Sequence, residues 1–440
     1  MRVRVKPAAV GRSGEATSAE REPTNSGRQD LLEQVLAREN LQRALQRVKR
    51  NAGSAGVDGM TVAQLPAFLR TAWPRLRGEL LDGTYRPQPV RRHAIPKPGG
   101  GERELGIPTV LDRFIQQALL QVLQPVLDPG FSDASYGFRP GRRARDAIRR
   151  AQGYVQAGHR VVVDVDLEKF FDRVNHDILM ARVARRIGDR RVLGLIRRYL
   201  DAGIMVNGVK CDRHRGTPQG GPLSPLLANV LLDDVDRMLE RGGHRFVRYA
   251  DDCNVYVRSR RAGERVLARL RRCYARLKLT VNETKSAVAP VRGRAFLGYT
   301  FWFAARGTQV RRAVATKAMQ RFKDRIRTLT RRTGGRSIEQ VVDGLRAYLP
   351  GWKAYFQLAQ TPGVFRELDQ WLRHRLRALH LKQWKRGSRM YTALVGLGAS
   401  PSDARVVANN SCCWWANSRY RLNRALPISY FDRLGVPKLS

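Results

Sequence analysis

Apolar residues recur at helical spacing from Leu31: Leu32, Val35, Leu36, Leu41, Ala44, Leu45 and Val48 fall on one side of a 3.6-residue period. A Gly-rich loop, NAGSAGVDG (51–59), ends that helix, and residues 62–81 return to a helical pattern. The next stretch, RPQPVRRHAIPKPGGGERELGIP (86–108), is basic and predicts a β-hairpin, two extended arms around the glycines at 99–101. TVLDRFIQQALLQVLQPVL (109–127) predicts an amphipathic helix, and residues 141–156 a basic one. RVVVDVDLEKFF (160–171) is β-branched and strand-like in its first half, and 175–203 reads as helix. GTPQGGPLSPLLANVLLDDVDRML (216–239) is a tight loop feeding a long helix. RYADDCNVYV (248–257) belongs to a hairpin, followed by a helix over 262–279 and a short strand run, RAFLGYTFWF (294–303). Residues 305–333 and 337–390 read as mainly helical, with a small irregular region to the end. No fixed-period repeat is visible.

Length and composition narrow the class. The 440 residues suffice for two to four domains with a sizeable core, and 42% hydrophobic content is ordinary for a folded chain. The charge is not ordinary: 82 Lys and Arg against 38 Asp and Glu give a net +44. Such an excess repels itself in a compact state and calls for a polyanion, most naturally nucleic acid, whose condensed counterions are released on binding. Residues 301–440 alone hold 27 Lys and Arg against 7 Asp and Glu, and Trp352, Trp371, Trp384, Trp414 and Trp415 lie among them. Cations there can cover phosphates while aromatics stack on unpaired bases, although most of these tryptophans, Trp352 and Trp371 above all, read as core anchors of helices. No run of ~18 apolar residues exists, so no membrane span is expected. The first 30 residues lack the apolar core of a secretory signal and read as a flexible tail. Five cysteines, Cys211, Cys253, Cys273, Cys412 and Cys413, without C-x-x-C spacing, argue against a disulfide framework and for a reducing, cytoplasmic (bacterial-type) setting.

Two adjacent acids, Asp251 and Asp252, sit between the extended runs FVRYA and CNVYV, at the tip of the expected hairpin. Taken alone they could be an ordinary Asp-Asp turn. A second source of carboxylates is the strand VVVDVDL, where Asp164 and Asp166 share a face because strand side chains alternate. These acids could also be a strand-end cap or ion-pair partners of nearby arginines. If the strand end and the hairpin tip meet, three carboxylates converge and repel unless a cation joins them. Oxygen-only ligands favour a hard ion such as Mg²⁺, which shares its shell with substrate phosphates. Two such ions can activate an attacking 3′-hydroxyl and stabilise a leaving pyrophosphate.

The ordered set YADD, DVDLEKFFD, SYGFRPGRRARDAI, GTPQGGPLSPLLANVLLDDVD and FLGYTF resembles group II intron reverse transcriptases, also called maturases. NAGSAGVDG and IPKPGGGERELGIPTVLDRFIQQAL resemble that family's N-terminal blocks; LPGWKAYFQLA and LDQWLRHRLRALHLKQWK resemble its thumb and maturase region. The resemblance runs over residues 31–440. It implies an α+β right hand of fingers, palm and thumb, with an antiparallel palm sheet and a basic helical maturase domain behind it. The implied divisions are a tail (1–30), an N-terminal extension (31–85), fingers and palm (86–303), thumb and maturase region (304–390), and a C-terminal nucleic-acid-binding region (391–440).

The resemblance also implies roles. Asp166, Asp251 and Asp252 match the catalytic and metal-binding triad, with the Leu167 carbonyl as an extra ligand to a pair of Mg²⁺ ions; Asp164 falls outside the match. Lys97 and Arg103 match a triphosphate clamp, for which two solvated cations are the alternative. Phe170 would press on the sugar and exclude a 2′-hydroxyl, or else be a core aromatic, as Phe171 is expected to be. Gln219 lies in a glycine-flanked loop near nucleotide or template, Tyr249 would touch the primer end or incoming nucleotide, and Lys285 in VNETKS matches a lysine near the triphosphate. In the helix expected at 368–389, Arg373 and Arg377 would share an RNA-facing side opposite Leu368, Leu372, Leu376 and Leu379, joined by Lys382, Lys385 and Arg386. The implied partners are group II intron RNA, an RNA template with a DNA primer, dNTPs and a DNA target. Cys412 and Cys413 cannot by themselves make a four-ligand zinc site, so no endonuclease domain is expected, as in compact bacterial members. A non-enzymatic RNA-binding splicing factor and a reverse transcriptase of a defence or diversification system are the competing readings.

Overall fold

In the computed structural model, which describes residues 30–96, 102–206, 209–211, 216–217, 220–304, 309–423 and 425–440, the β-branched run Val161–Val165 is an interior strand of an antiparallel sheet. Its neighbours are Asp252–Val257 on one side and Ala287–Pro290 on the other, and Arg245–Tyr249 completes the sheet beyond Asp252–Val257. Alternation divides the sheet into two faces. Val163, Val165, Phe246, Cys253 and Val255 are buried on one, where the helix Arg260–Arg276 packs through Val266, Leu270 and Tyr274. On the other, Val162, Val247 and Tyr256 form an apolar half against Ala147, Ala151 and Val155 of the helix Ala144–Gln156. The remaining half of that face is acidic, and it carries the site described below.

These strands belong to one of two units of the chain, made of Asp128–Asn175, Arg215–Thr217 and Ser224–Ser440. A second sheet in this unit joins Ala295–Phe296, Tyr299–Phe303 and Val310–Val314. The last strand falls where a helix was expected. Val310 and Val314 are buried at its two ends and pair with Phe303 and Tyr299, and this pairing outweighs a local composition rich in arginine. Helices follow at Thr316–Leu329, Ile338–Phe356, Pro362–Trp384 and Gly387–Gly396, the second opened by a reciprocal capping box between Ser337 and Gln340. The end of the chain is helical rather than irregular, at Pro401–Asn409, Trp414–Asn417 and Ile428–Arg433. Its Leu394, Val407, Phe431 and Leu439 enter the same core as Phe322, Leu345, Trp352, Leu372 and Leu376.

The other unit comprises Met1–Leu127, His176–His214 and Pro218–Leu223. The single helix expected after Leu31 is two, Leu31–Leu36 and Arg38–Asn51, because Ala37 is extended (φ −61°, ψ 137°) and the buried Asn40 amide donates to Val35 O at 2.9 Å. The expected hairpin forms from Val90–Pro96 and Glu102–Ile107, and Ile204–Val206 adds to it in parallel. The helix expected over 175–203 is also two, His176–Ala184 and Arg190–Asp201, divided where buried Asp189 caps the second through the Arg191 and Val192 N–H groups. No helix of the described residues is long and apolar enough to cross a membrane.

Candidate active site

The acidic half-face follows from strand register. Val165 pairs with Cys253 and Val163 with Val255, so the next position in the same register sets Asp166 opposite Asp252. Asp164 pairs with Asn254 two residues back, on the same face. Directly opposed residues of an antiparallel pair hold their Cβ atoms about 4.5–5.5 Å apart. Asp164, Asp166 and Asp252 therefore form one group, with Asp251 beside them in the turn. Burial first, and then the charges of Asp164, Asp251 and Asp166, push the Asp252 carboxyl up to about 8. The Asn254 amide, donating to Asp252 Oδ1 at 2.8 Å, pulls the other way. Burial also raises Asp164, against the pull of Arg294, whose Nη1 lies 3.4 Å from its Oδ2.

The turn that carries Asp251 is held from behind. Ala250 lies in the left-handed region (φ 59°), where a residue with a Cβ needs support. Arg248, fully buried, supplies it: Nη1 donates to Ala250 O at 2.8 Å and to Asn229 Oδ1 at 2.9 Å, while Nη2 meets Asp236 Oδ2 at 2.6 Å. Asn229 in turn donates to Gly137 O at 2.9 Å. A Cβ on Gly137 would lie 2.2 Å from the Ala250 nitrogen, so only glycine lets this loop close on the turn. Arg248, Asp236, Asn229 and Gly137 were not singled out in the sequence. All four stood inside the quoted motifs, but a polar residue in a motif does not say which way it faces.

The strand end is fixed from the loop VNETKS. The Asp166 N–H donates to Ser286 Oγ at 3.0 Å, the Asn282 N–H donates to Asp166 O at 2.8 Å, and Leu167 is bridged to Val281. Lys285 Nζ, mostly exposed, lies 3.2 Å from Asp166 Oδ2. Phe170 begins the short helix Phe170–Arg173; it is 3% exposed and meets Phe171 edge-on with ring centroids 5.0 Å apart. Gly216 and Thr217 donate to Val174 O and Phe171 O, each at 2.7 Å, which ties the start of GTPQGG to that helix. Tyr249 is partly buried and pairs with Asp252 across the hairpin. Lys97 and Gln219 lie outside the described residues, and Arg103 stands in the strand Glu102–Ile107 opposite Ile95.

The donor chemistry fits a hard cation: oxygen ligands only, crowded enough that one carboxyl is driven toward its neutral form. Among the described residues no three His, Cys, Asp or Glu side chains already stand in ligand geometry, and the Lys285 ammonium offsets the charge on Asp166 instead.

The exposure expected of two arginines is overturned. Arg373 is 2% and Arg377 7% exposed, so these two do not form a solvated arginine side opposite the leucines of the helix Pro362–Trp384. Arg373 is bound by Asp369 at 2.9 Å and Asp432 at 3.4 Å, and Arg377 Nε donates to Leu426 O at 2.9 Å. The C-terminal residues that fold over this helix bury both. Lys382 sits over the Trp414 ring at 4.0 Å, while Lys385 and Arg386 are exposed.

Comparison with known proteins places two family matches on the chain. The family description "Reverse transcriptase (RNA-dependent DNA polymerase)" matches residues 95–301, and "Group II intron, maturase-specific domain" matches residues 319–394. Protein YkfC of Escherichia coli (strain K12) is 40% identical over 194 residues, covering 43% of this chain and 51% of that protein. Group II intron-encoded protein LtrA of Lactococcus lactis subsp. cremoris is 36% identical over 197 residues, covering 44% of this chain and 33% of LtrA. The alignments thus span about half the length of one relative and a third of the other. A reverse transcriptase domain has a right-hand polymerase fold, and the mixture of helices and strands is of the α+β kind.

Proposed function

We propose, from the membership of this chain in the group II intron-encoded reverse transcriptase family, that it is an RNA-directed DNA polymerase that also binds intron RNA to assist splicing and retrohoming. The observation that carries the reading is the strand register, Val165 paired with Cys253, which sets Asp166 toward Asp252, where the charges of Asp164, Asp251 and Asp166 act on Asp252. A reverse transcriptase domain implies dependence on a divalent metal. Our finer reading is two Mg²⁺ ions held by Asp166, Asp251, Asp252 and the Leu167 carbonyl, which when bound supply positive charge to a primer 3′-hydroxyl and a dNTP triphosphate.

The chain's own residues prepare that chemistry. Arg248 and Asn229 hold the turn so that Asp251 and Asp252 need not reorganise when ligands arrive. Ser286 and Asn282 fix the backbone of Asp166. The Lys285 ammonium shields Asp166 and can pass to a triphosphate oxygen once the carboxylate is engaged. Phe170 limits the space at the sugar, and Tyr249 meets the primer end or incoming base. Lys97, Arg103 and Gln219 take the clamp and loop roles that the resemblance implies. RNA template, DNA primer and DNA target are the proposed partners, with Lys382, Lys385 and Arg386 among the RNA contacts.

The test is extension of a DNA primer on an RNA template, with and without Mg²⁺, by the full chain and by Asp251→Asn. Extension should need the metal and fall by orders of magnitude in the variant, because a ligand is weakened while its shape is kept. Near-wild-type synthesis by Asp251→Asn would sink the assignment.

A further inference from the structure

The helix Pro362–Trp384 and the segments near Trp414–Asn417 and Ile428–Arg433 line an open cleft of about 860 Å³ that the polymerase reading does not use. Its wall includes Arg373, His374, Arg377, Trp415, Arg419 and Asn423. The size lies within the range of small-ligand pockets, about 300–1,000 Å³, and leaves ample room for one nucleotide.

The wall carries positive charge that the described residues balance only in part. Asp369 and Asp432 meet Arg373, yet its buried Nε has no partner among the described residues. Arg377 is buried beside it; among the described residues it makes one hydrogen bond, to a neutral carbonyl, and no carboxylate pairs with it. Burial first and then Arg373 draw its guanidinium below the ordinary range. A buried cation left in that state is costly unless an anion completes it. Arg419, exposed, adds a second cation on the rim.

The same cleft carries a flat apolar surface. Trp415 is 37% exposed and its ring is stacked on His374, with centroids 3.7 Å apart and planes 23° apart. His374 Nε2 is also 2.9 Å from Trp415 O, so the ring pair is clamped at two points. Burial and the nearby Arg419, Arg377 and Arg375 favour a neutral imidazole there, with Nε2 donating to the carbonyl. An exposed, immobilised indole costs little entropy when a second ring stacks on it. Gln370, Ser418 and Asn423 offer hydrogen-bonding groups around this surface.

We propose that this cleft captures one unpaired nucleotide of a nucleic-acid strand, with its phosphate on Arg377 and Arg419 and its base on Trp415. The chemistry is a guanidinium pair for an anion, an indole for an aromatic ring, and amide and hydroxyl groups for polar edges. A bulged or looped residue of an RNA and a flipped residue of a DNA strand share it. The inference deepens the nucleic-acid-binding reading above and rests on it. It gives the buried Arg377 an extruded residue in a pocket, in addition to the contacts proposed for the exposed Lys385 and Arg386.

The test uses the full chain and four hairpins of equal stem length: RNA with one bulged uridine, the same RNA fully paired, and the two DNA counterparts. Wild type should bind a bulged hairpin about tenfold more tightly than its paired control, the size expected of one stacked base. Trp415→Ala and, separately, Arg419→Ala should erase that preference; both side chains are exposed, so neither change should unfold the chain. A 4-thiouridine at the bulge should crosslink to the peptide holding Trp415. A preference shown only by RNA identifies an RNA strand as the occupant, and one shown only by DNA a DNA strand; either supports the pocket. Equal binding of bulged and paired hairpins, an equal loss for both in the variants, or a crosslink elsewhere overturns it. Primer extension by the same wild-type preparation separates the two claims: intact extension with no bulge preference removes the pocket and leaves the polymerase.

Discussion

Arg248 Nη2 donates to Asp236 Oδ2 at 2.6 Å, with both side chains wholly buried directly behind the turn that carries Asp251 and Asp252. A buried ion pair is weak evidence for stability, since desolvation offsets much of its attraction. Here the guanidinium also bonds Ala250 O and Asn229 Oδ1, so its geometry is transmitted to the turn that carries Asp251 and Asp252. Arg248→Lys keeps the charge and loses the fork. It should lower kcat for primer extension at least tenfold while KM for dNTP changes little, with modest loss of thermal stability. Arg248→Met leaves Asp236 unpaired and should cost about 3–5 kcal/mol, read by chemical denaturation. Equal, small effects of both variants would make the pair incidental.

Gly137 provides a steric test of the same support. A methyl group there would lie 2.2 Å from the Ala250 nitrogen, whereas one at Gly141 meets nothing within 4 Å. Gly137→Ala should abolish extension and lower the melting temperature. Gly141→Ala, strained only by its φ of 70°, should cost about 1 kcal/mol and keep most activity. Matching losses in the two variants would contradict a specific approach of Gly137 to the turn.

Much of this site was legible in the sequence because its elements are short-range. FVRYA and CNVYV announce a hairpin, and VVVDVDL announces a strand with its acids on one face. What holds them was not legible. Arg248 reads as one arginine among many until Asp236, twelve residues earlier on a helix, is seen to face it. The burial of Arg373 and Arg377 was hidden for a similar reason. The leucine spacing shows which side of the helix packs, but Asp432 and Leu426, 59 and 49 residues away, decide that the other side packs too. The strand Val310–Val314 was missed because pairing with Tyr299–Phe303, not local composition, makes it a strand.

Acid should loosen the C-terminal core. His380 is 6% exposed, bonded to the Tyr430 hydroxyl at 3.3 Å, and held down to about 4 by burial. Between its ordinary value near 6.5 and that value, the unfolded chain binds the proton and the folded chain does not. Stability from this residue is therefore intact above about pH 6.5 and falls as the pH drops. Between pH 7 and 5 the loss should be about 2 kcal/mol. His380→Phe should flatten that dependence in denaturant titrations at the two pH values; an unchanged slope would show that His380 does not set it.

Phe170 offers a test of substrate choice. Its ring is 3% exposed and packs edge-on against Phe171. If it limits space at the sugar, Phe170→Ala should raise ribonucleotide incorporation relative to deoxyribonucleotide incorporation, measured as the ratio of kcat/KM values. An unchanged ratio in a variant that still folds and polymerises would return Phe170 to the core.

The central claim is the proposal that Asp166 and Asp252, which the strand register brings together, act as one, while Asp164 on the same face is occupied by Arg294. The most direct measurement is the single-turnover rate of dNTP addition on an RNA template by Asp166→Asn, Asp252→Asn and Asp164→Asn, each checked for folding. The first two should lose at least a thousandfold. Asp164→Asn should stay within about tenfold of wild type, since it removes a repelling charge and no ligand; a wobble of that size is about 1.4 kcal/mol in the barrier. Comparable losses in all three, or a retained rate in Asp166→Asn or Asp252→Asn, would contradict the account.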